Sequence, residues 1–332
     1  MPELRKDPVM DRWVIISPER SNRPVDVIES SIKKNSKFSP FAPGNEQMTP
    51  PEIYAIRPNN LPPNSPGWAL RVIPNKYPAL QVEEELHRRG DGMYDMMSGV
   101  GAHEVIIETP DPQLCLTDLD KSTIQDIFRT YKERILDLKK DIRLKYAIIF
   151  KNHGHAAGAT LSHSHSQLIA TPIIPRNVVE ELQGAGSYFK LKERCIFCDI
   201  IQQERKDKSR LVFEEDHFLV MEPFAPRFPF ETWILPKKHC SHFEKITNEE
   251  LLHIAISIKT TLLKINKALQ HPAYNYVIHT APLQQEELSS YHWHIEIMPK
   301  ITRTAGFEWG TGFYINTTSP EEAASYLRDI AV

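Results

Sequence analysis

The sequence has little cysteine, no excess of charge of either sign and no long apolar run, and each shortage closes off a class of protein. Four cysteines in 332 residues, Cys115, Cys195, Cys198 and Cys240, are too few for a disulfide framework. Two of them stand as CxxC, a spacing that in a reducing compartment points to metal or redox chemistry. Forty basic and 43 acidic residues leave a net charge of −3, without the basic footprint of a nucleic-acid binder. No stretch reaches the ~18 apolar residues of a membrane span, and the opening MPELRKDPVMDRW is polar, without the apolar core of an export signal. The expectation is a cytoplasmic chain acting on a small or nucleotide-like substrate, with neither nucleic acid nor membrane as partner.

What is present is an ordinary globular composition, 41% apolar and 25% charged, at a length that suits two domains. An internal repeat divides the chain. HEVIIETP (103–110), a helical stretch from TDLDKSTIQ onward, YAIIFKNHG (146–154) and SHSHSQLIATPII form one copy. FETWILPKK (230–238), TNEELLHIAISIKTTLLKINKAL, YNYVIHTAP (274–282) and YHWHIEIMPKI form the other. Ile107 lies 56 positions before His163, and Ile234 lies 58 before His292. Each copy reads strand, helix, strand, strand. Ile124, Ile127, Phe128 and Tyr131, like Leu251, Ile254, Ile258 and Leu262, recur at helical spacing, and LTDLD and KITNEE offer N-caps. The reading is α+β, with units at 1–180 and 181–332 joined near RNVVEELQGAGSYFKLKER. The proline-rich 38–66 is expected to be loop.

Read as a strand, HSHSQLI sends His163, His165 and Gln167 to one face. The preceding NHGHAAGAT is built of residues small enough to let backbone N–H groups approach a phosphate. A histidine beside such a loop is placed for in-line attack on phosphorus, giving a phosphoramidate intermediate. Gln167 would hold a non-bridging oxygen without adding charge. The second pair, in YHWHIE, follows acidic and polar bulk instead. With Cys195, Cys198, one of His239 or His242, and His292, it forms a Cys₂His₂ set, the composition of structural zinc.

These segments together resemble the galactose-1-phosphate uridylyltransferase family, the transferase branch of the histidine-triad superfamily. The resemblance covers nearly the whole chain: ELRKDPVMDRWVIISPERSNRP, PNKYPAL, FKNHGHAAGATLSHSHSQ, PFAPRFPFETWILPKKH and HWHIEIMPK. It implies two histidine-triad-like half-barrel repeats with antiparallel sheets and flanking helices, in a homodimer. It makes His165 the nucleophile that takes a nucleoside monophosphate from a nucleotide sugar, with Gln167 on the transferred phosphoryl group. Asn152, Gly158, Thr160 and His163 would line the phosphates, Arg20 and Arg23 the nucleotide or sugar phosphate, and Asn75 the nucleotide. His155 is a further phosphate-side donor without a motif match.

Two departures from the family pattern bear on metal and substrate. Where many members build a first zinc site, this chain has Ser39, Ala42 and Pro112, leaving only His163, so that site is expected to hold no metal. The second site is implied as Cys195, Cys198, His239 and His292, one structural zinc; a Glu-plus-three-His site drawing on Glu181 and His294 is the alternative. The C-terminal AGFEWGTGFYINTTSPEEAA places Thr311 and Gly312 where the bacterial enzymes carry a Tyr-Glu pair, nearer to ADP-glucose phosphorylase. The leading expectation is UDP-glucose–hexose-1-phosphate uridylyltransferase by a ping-pong route, in galactose metabolism. ADP-glucose phosphorylase, a nucleotide-binding protein without turnover and a hydrolase are the rivals, the last disfavoured by Gln167.

Overall fold

Short runs rich in Ile, Val and aromatics, bounded by Pro, Gly and Asn, form the strands, and longer runs with apolar residues every three or four positions form the helices. The computed structural model describes residues 2–22, 38–57 and 61–332. In chain order it has β1 (Glu3–Lys6), β2 (Trp13–Ile16), β3 (Tyr54–Ile56), β4 (Leu70–Pro74), β5 (Arg89–Asp91), β6 (Tyr94–Met96) and β7 (Ala102–Ile107). Helix α1 (Lys121–Leu138), β8 (Tyr146–His153), β9 (His165–Thr171), α2 (Arg176–Lys192) and α3 (Ile196–Asp207) follow. Then come β10 (Leu211–Glu214), β11 (Phe218–Met221), β12 (Thr232–Pro236), α4 (Asn248–Leu269), β13 (Tyr274–His279) and β14 (His294–Pro299). The chain closes with α5 (Gly306–Thr311), β15 (Tyr314–Asn316) and α6 (Pro320–Asp329).

This is a mixed α+β protein organised by one sheet of ten strands, in the order β10-β11-β12-β14-β13-β8-β9-β7-β4-β3. Every pairing in it is antiparallel. At its centre β8 meets β13, with Asn152 opposite Asn275. Outward from that seam both halves lay down their strands in the same sequence, the second copy's β13-β14-β12 answering the first copy's β8-β9-β7. The expected boundary between residues 180 and 181 falls within α2, and the sheet runs unbroken from one half to the other. A small second sheet, β1-β2-β15, ties the start of the chain to its end.

Helices α1 and α4 cover one face of the ten-stranded sheet and enclose the main core. Asp120 caps α1 by accepting the Thr123 N–H at 2.7 Å, and Thr247 and Glu250 form a capping box on α4. Ile124, Ile127, Phe128, Ile254, Ile258 and Leu262 are fully buried, each worth roughly 1.5–3 kcal/mol of transfer free energy. Strand alternation then leaves His103, Val105, Ile107, His165 and Gln167 on the opposite face, as their cross-strand register requires.

Two expectations change. The segment read as a join is a regular helix, α2, with Val178, Glu181 and Ala185 buried. Its Gly184, which looks like a breaker, is there because a Cβ would stand 1.8 Å from the Val9 carbonyl oxygen. The proline-rich segment, expected as a loop without regular helix or central strand, is irregular apart from a 3₁₀ turn at Glu46–Met48 and the three-residue edge strand β3, the one element the expectation did not name. Trp68 Nε1 donates to buried Glu46 at 2.9 Å, and Arg71 donates to Glu52 at 2.9 Å and to Thr49 at 2.8 Å.

Candidate active site

His165 opens β9, and its Nδ1–H donates to the carbonyl of His163 at 2.8 Å. That bond fixes the tautomer and leaves Nε2, which has no protein hydrogen bond among the described residues, with its lone pair available for attack. Phe41 packs its ring against the imidazole at 5.5 Å between centroids, 70° from parallel. Burial pushes the pKa of His165 below the ordinary imidazole value, the Lys151 ammonium adding to the effect against the backbone hydrogen bond, so the ring is neutral near pH 7. On the same face, Gln167 Oε1 lies 2.8 Å from His103 Nε2.

The loop after β8 carries two glycines at positive φ, Gly154 at 82° and Gly158 at 88°, around the 3₁₀ turn His155–Ala157. A Cβ on Gly154 would meet Ala273 at 2.8 Å, so that glycine is demanded by both its φ and its neighbour. Asn275, across the central seam, donates Nδ2 to Asn152 Oδ1 at 2.8 Å and to the Ala157 carbonyl at 2.9 Å. Asn152 therefore keeps its own Nδ2 for a ligand, beside Gly158. Gly158, Thr160 and His155 stand exposed at the mouth of this loop. Asn275 was missed from sequence because its role depends on a cross-strand register.

The remaining candidates divide. Asn75 reaches the site, its Nδ2 at 3.1 Å from His103 Nε2. Arg20 is exposed on the 3₁₀ turn Pro18–Asn22, carried by the small sheet rather than by β9. Arg23 lies outside the described residues. His163 is buried, with both ring nitrogens occupied: Ser39 Oγ at 2.8 Å from Nδ1 and the Thr109 carbonyl at 2.7 Å from Nε2.

Behind β9, on the helix face, Lys151 and Glu108 form an ion pair almost wholly out of solvent. Lys151 Nζ also donates to Ser164 Oγ and to the His165 carbonyl, each at 3.0 Å. Ser164 donates to the same Glu108 oxygen at 2.6 Å, and Tyr131 donates to Ser166 Oγ at 2.7 Å. The His165 carbonyl and the Ser164 hydroxyl before it are thus held by charge-assisted bonds, and the Ser166 hydroxyl after it by Tyr131.

In the second half, the donor atoms of Cys195, Cys198, His239 and His292 all lie within 4.8 Å of one another. His239 Nδ1 and His292 Nδ1 face Cys198 Sγ at 3.5 and 3.6 Å. Their Nε2–H groups donate to the carbonyls of Leu288 at 3.2 Å and Pro236 at 2.8 Å, which turns the Nδ1 lone pairs inward. The Cys198 thiol, donating to Cys195, holds the Cys195 thiol below its ordinary value. His242, the other candidate, is buried elsewhere, 3.1 Å from the Glu286 carbonyl. Glu181, His279 and His294 form a neighbouring donor group, already closed by an ion pair of His279 with Glu181 at 3.0 Å. Burial opposes charge on His279, but Glu181 and Glu296 outweigh it and raise its pKa to about 10.

Comparing the halves shows one strand put to two uses. His294 Nδ1 meets the His292 carbonyl at 3.1 Å as His165 meets His163. But His294 is sealed beneath Phe197 and Trp233, each at 5.0 Å, with no exposed surface, while buried His165 still keeps 8% of its surface exposed.

Residues 1–175 match the family model for the galactose-1-phosphate uridyl transferase N-terminal domain, and residues 181–313 match its C-terminal domain. The chain is 40% identical over 338 residues to ADP-glucose phosphorylase of Arabidopsis thaliana, covering 100% of this chain and 93% of that one. It is 30% identical over 341 residues to a galactose-1-phosphate uridylyltransferase of Thermotoga maritima, covering 100% and 99%. The crystal structure of an Arabidopsis thaliana ADP-glucose phosphorylase with bound ADP-glucose superposes with a TM-score of 0.86 at 39% identity, both chains covered completely. A solved uridylyltransferase superposes with a TM-score of 0.78 at 27% identity, covering 99% and 97%.

Proposed function

Because this chain belongs to the galactose-1-phosphate uridylyltransferase family, we propose that it is a nucleotidyltransferase working through a covalent nucleotidyl-His165 intermediate, with UDP-glucose as donor and a hexose 1-phosphate as acceptor. The observation that carries the reading is His165 itself, neutral, tied through Nδ1 and open at Nε2, beside a double-glycine loop and a fixed glutamine. Nε2 attacks the phosphorus of the nucleoside monophosphate group, the P–O bond to the sugar phosphate breaks, and the His163 carbonyl stabilises the charge that appears on the ring. The second displacement reverses these roles with galactose 1-phosphate. Leaving group and acceptor are both phosphates, so no strong general acid is needed, and Gln167 suffices where a proton donor would otherwise stand.

A second reading, adenylyl transfer from ADP-glucose to phosphate, is supported by the higher identity to the Arabidopsis enzyme, 40% against 30%. Incubating the protein separately with UDP-glucose and ADP-glucose and weighing it decides between them. A UMP adduct on His165 discharged by hexose 1-phosphate is the expected result. An AMP adduct discharged by phosphate establishes the second reading, and no adduct from either donor removes both.

For the metal, Cys195, Cys198, His239 and His292 fit zinc: two thiols, one already favoured as thiolate, and two imidazoles aimed by backbone carbonyls. Zinc there would tie the start of α3 to the ends of β12 and β14. His163 is instead satisfied by Ser39 and Thr109, so we infer one zinc per chain. We also infer that the two halves are histidine-triad-like half-barrels, meeting near residue 180, and that the protein is a cytoplasmic homodimer. Elemental analysis and sedimentation of one preparation test the stoichiometries: one zinc per chain, lost in Cys195→Ser/Cys198→Ser, and a two-chain mass. Two zincs per chain, or a one-chain mass, would contradict them. Residue-by-residue superposition of 103–171 on 232–299 tests the repeat.

A further inference from the structure

We propose that His103 is a positioning residue that sets the amide orientation of Gln167, so that this glutamine turns its N–H donors toward the bound nucleotide; this rests on the nucleotidyl-transfer reading above. The hydrogen-bond chain runs in one direction. The backbone N–H of Ala79 points at His103 Nδ1 at 3.1 Å, so Nδ1 supplies the lone pair and the neutral ring carries its proton on Nε2. Nε2–H then donates to Gln167 Oε1 at 2.8 Å.

With its oxygen engaged, Gln167 has only its NH₂ group to offer on the other side. A flipped amide would leave the buried Nε2 proton without an acceptor. Asn75 is fixed independently, since its Oδ1 accepts the Tyr77 N–H at 2.9 Å. Its Nδ2 lies 3.1 Å from His103 Nε2, and with the Nε2 proton directed at Gln167 Oε1 the ring offers it no lone pair. That N–H is therefore left for a ligand acceptor. The Asn75 N–H donates to the His103 carbonyl at 2.8 Å, closing the loop onto β7.

His103 thereby links the loop 75–79 to the residue beside the nucleophile, and it does so without touching the reacting atoms. A glutamine that could adopt either orientation would present a carbonyl oxygen to the phosphoryl group half the time, a repulsive contact where transition-state charge collects.

The test measures single-turnover nucleotidylation of His165 by whichever donor sugar nucleotide labels the wild-type enzyme. His103→Leu, with no donor, is expected to slow it ~10–100-fold, the range for outer-shell partners of a site, with less change in donor affinity. His103→Gln, which keeps an N–H of similar reach, should stay within about threefold. In a Gln167→Ala background, His103→Leu should cost no more than about twofold, because the residue acts through Gln167. Equal losses in both backgrounds, or none in either, overturn the proposal. Nitrogen-15 imidazole spectra of the wild-type enzyme, assigned by difference with His103→Gln, keep it testable if His103→Leu does not fold: an Nε2–H tautomer is expected, and Nδ1–H would refute it. The spectra require no turnover, so failure of the transferase reading itself would appear separately, as absence of any adduct on wild-type His165.

Discussion

His165→Asn is expected to lower the turnover of nucleotidyl transfer by on the order of 10⁴-fold or more, the scale seen when a covalent nucleophile is removed, and to eliminate the adduct. The reason is stoichiometric. A double displacement needs an atom that bonds phosphorus between two sugar phosphates, and no other nucleophile on this face is described with a free lone pair, a fixed tautomer and a place beside the loop 154–158. Asparagine at this position removes the attacking nitrogen while leaving the buried ion pair behind it intact, so the melting temperature should move little. The wild-type pH profile tests the same group. Because burial places the His165 pKa below 6.5 in the folded protein, the ring remains neutral and nucleophilic as pH falls through 6.5. The acid limb of kcat/KM should therefore lie below the ordinary histidine value. A variant that keeps a tenth of its turnover without any covalent intermediate would point to direct transfer between two bound substrates. A variant that binds nucleotide as well as the parent, where the parent itself shows no turnover, would point to a binding protein.

The matching strand orders β8-β9-β7 and β13-β14-β12 were readable because strand spacing is a local property. From Ile107 to His163 and from Ile234 to His292 the chain spends nearly equal lengths, and the caps Asp120 and Thr247 mark where each helix must begin. The CxxC and its two histidines were readable for a similar reason, since thiol spacing carries metal chemistry on its face. Which histidine completes the set, 239 or 242, depended on how the chain after β12 turns, and only the aim of Nδ1 at Cys198 decides it. The residues that reading missed share one property. His103, Asn275 and Lys151 act across strands, through register: His103 lies diagonally from Gln167, Asn275 opposite Asn152, and Lys151 beneath His165. Helix α2 was read as a join, and the reason for its Gly184, the close approach of the Val9 carbonyl, lies in another part of the chain.

The buried pair under the nucleophile yields the largest expected change in stability. Lys151→Met should destabilise the protein by about 3–5 kcal/mol, the cost of leaving a buried charge without its partner. Lys151 and Glu108 are 2.5 Å apart, both essentially without solvent contact, and Glu108 keeps only Ser164 at 2.6 Å as a side-chain donor once the ammonium is gone. Removing both charges together is different, because a neutral pair of similar volume carries no ion to desolvate; Lys151→Met/Glu108→Gln should be less destabilised than Lys151→Met alone. The pH dependence supplies an independent sign. In the parent, burial raises the Glu108 pKa but Lys151 outweighs it and holds it below the usual 4.5, so its stabilising contribution is present above 4.5 and lost only as pH falls through the depressed folded value. Without Lys151, burial outweighs the remaining Ser164 hydrogen bond and raises the folded value above the unfolded one, so the variant takes up a proton on folding and its deficit relative to the parent should shrink between pH 7 and 5. Urea midpoints across that range are the measurement. A deficit that stays constant with pH, or a double variant as weak as the sum of its singles, would mean that the loss comes from packing of the lysine stem rather than from the stranded carboxylate.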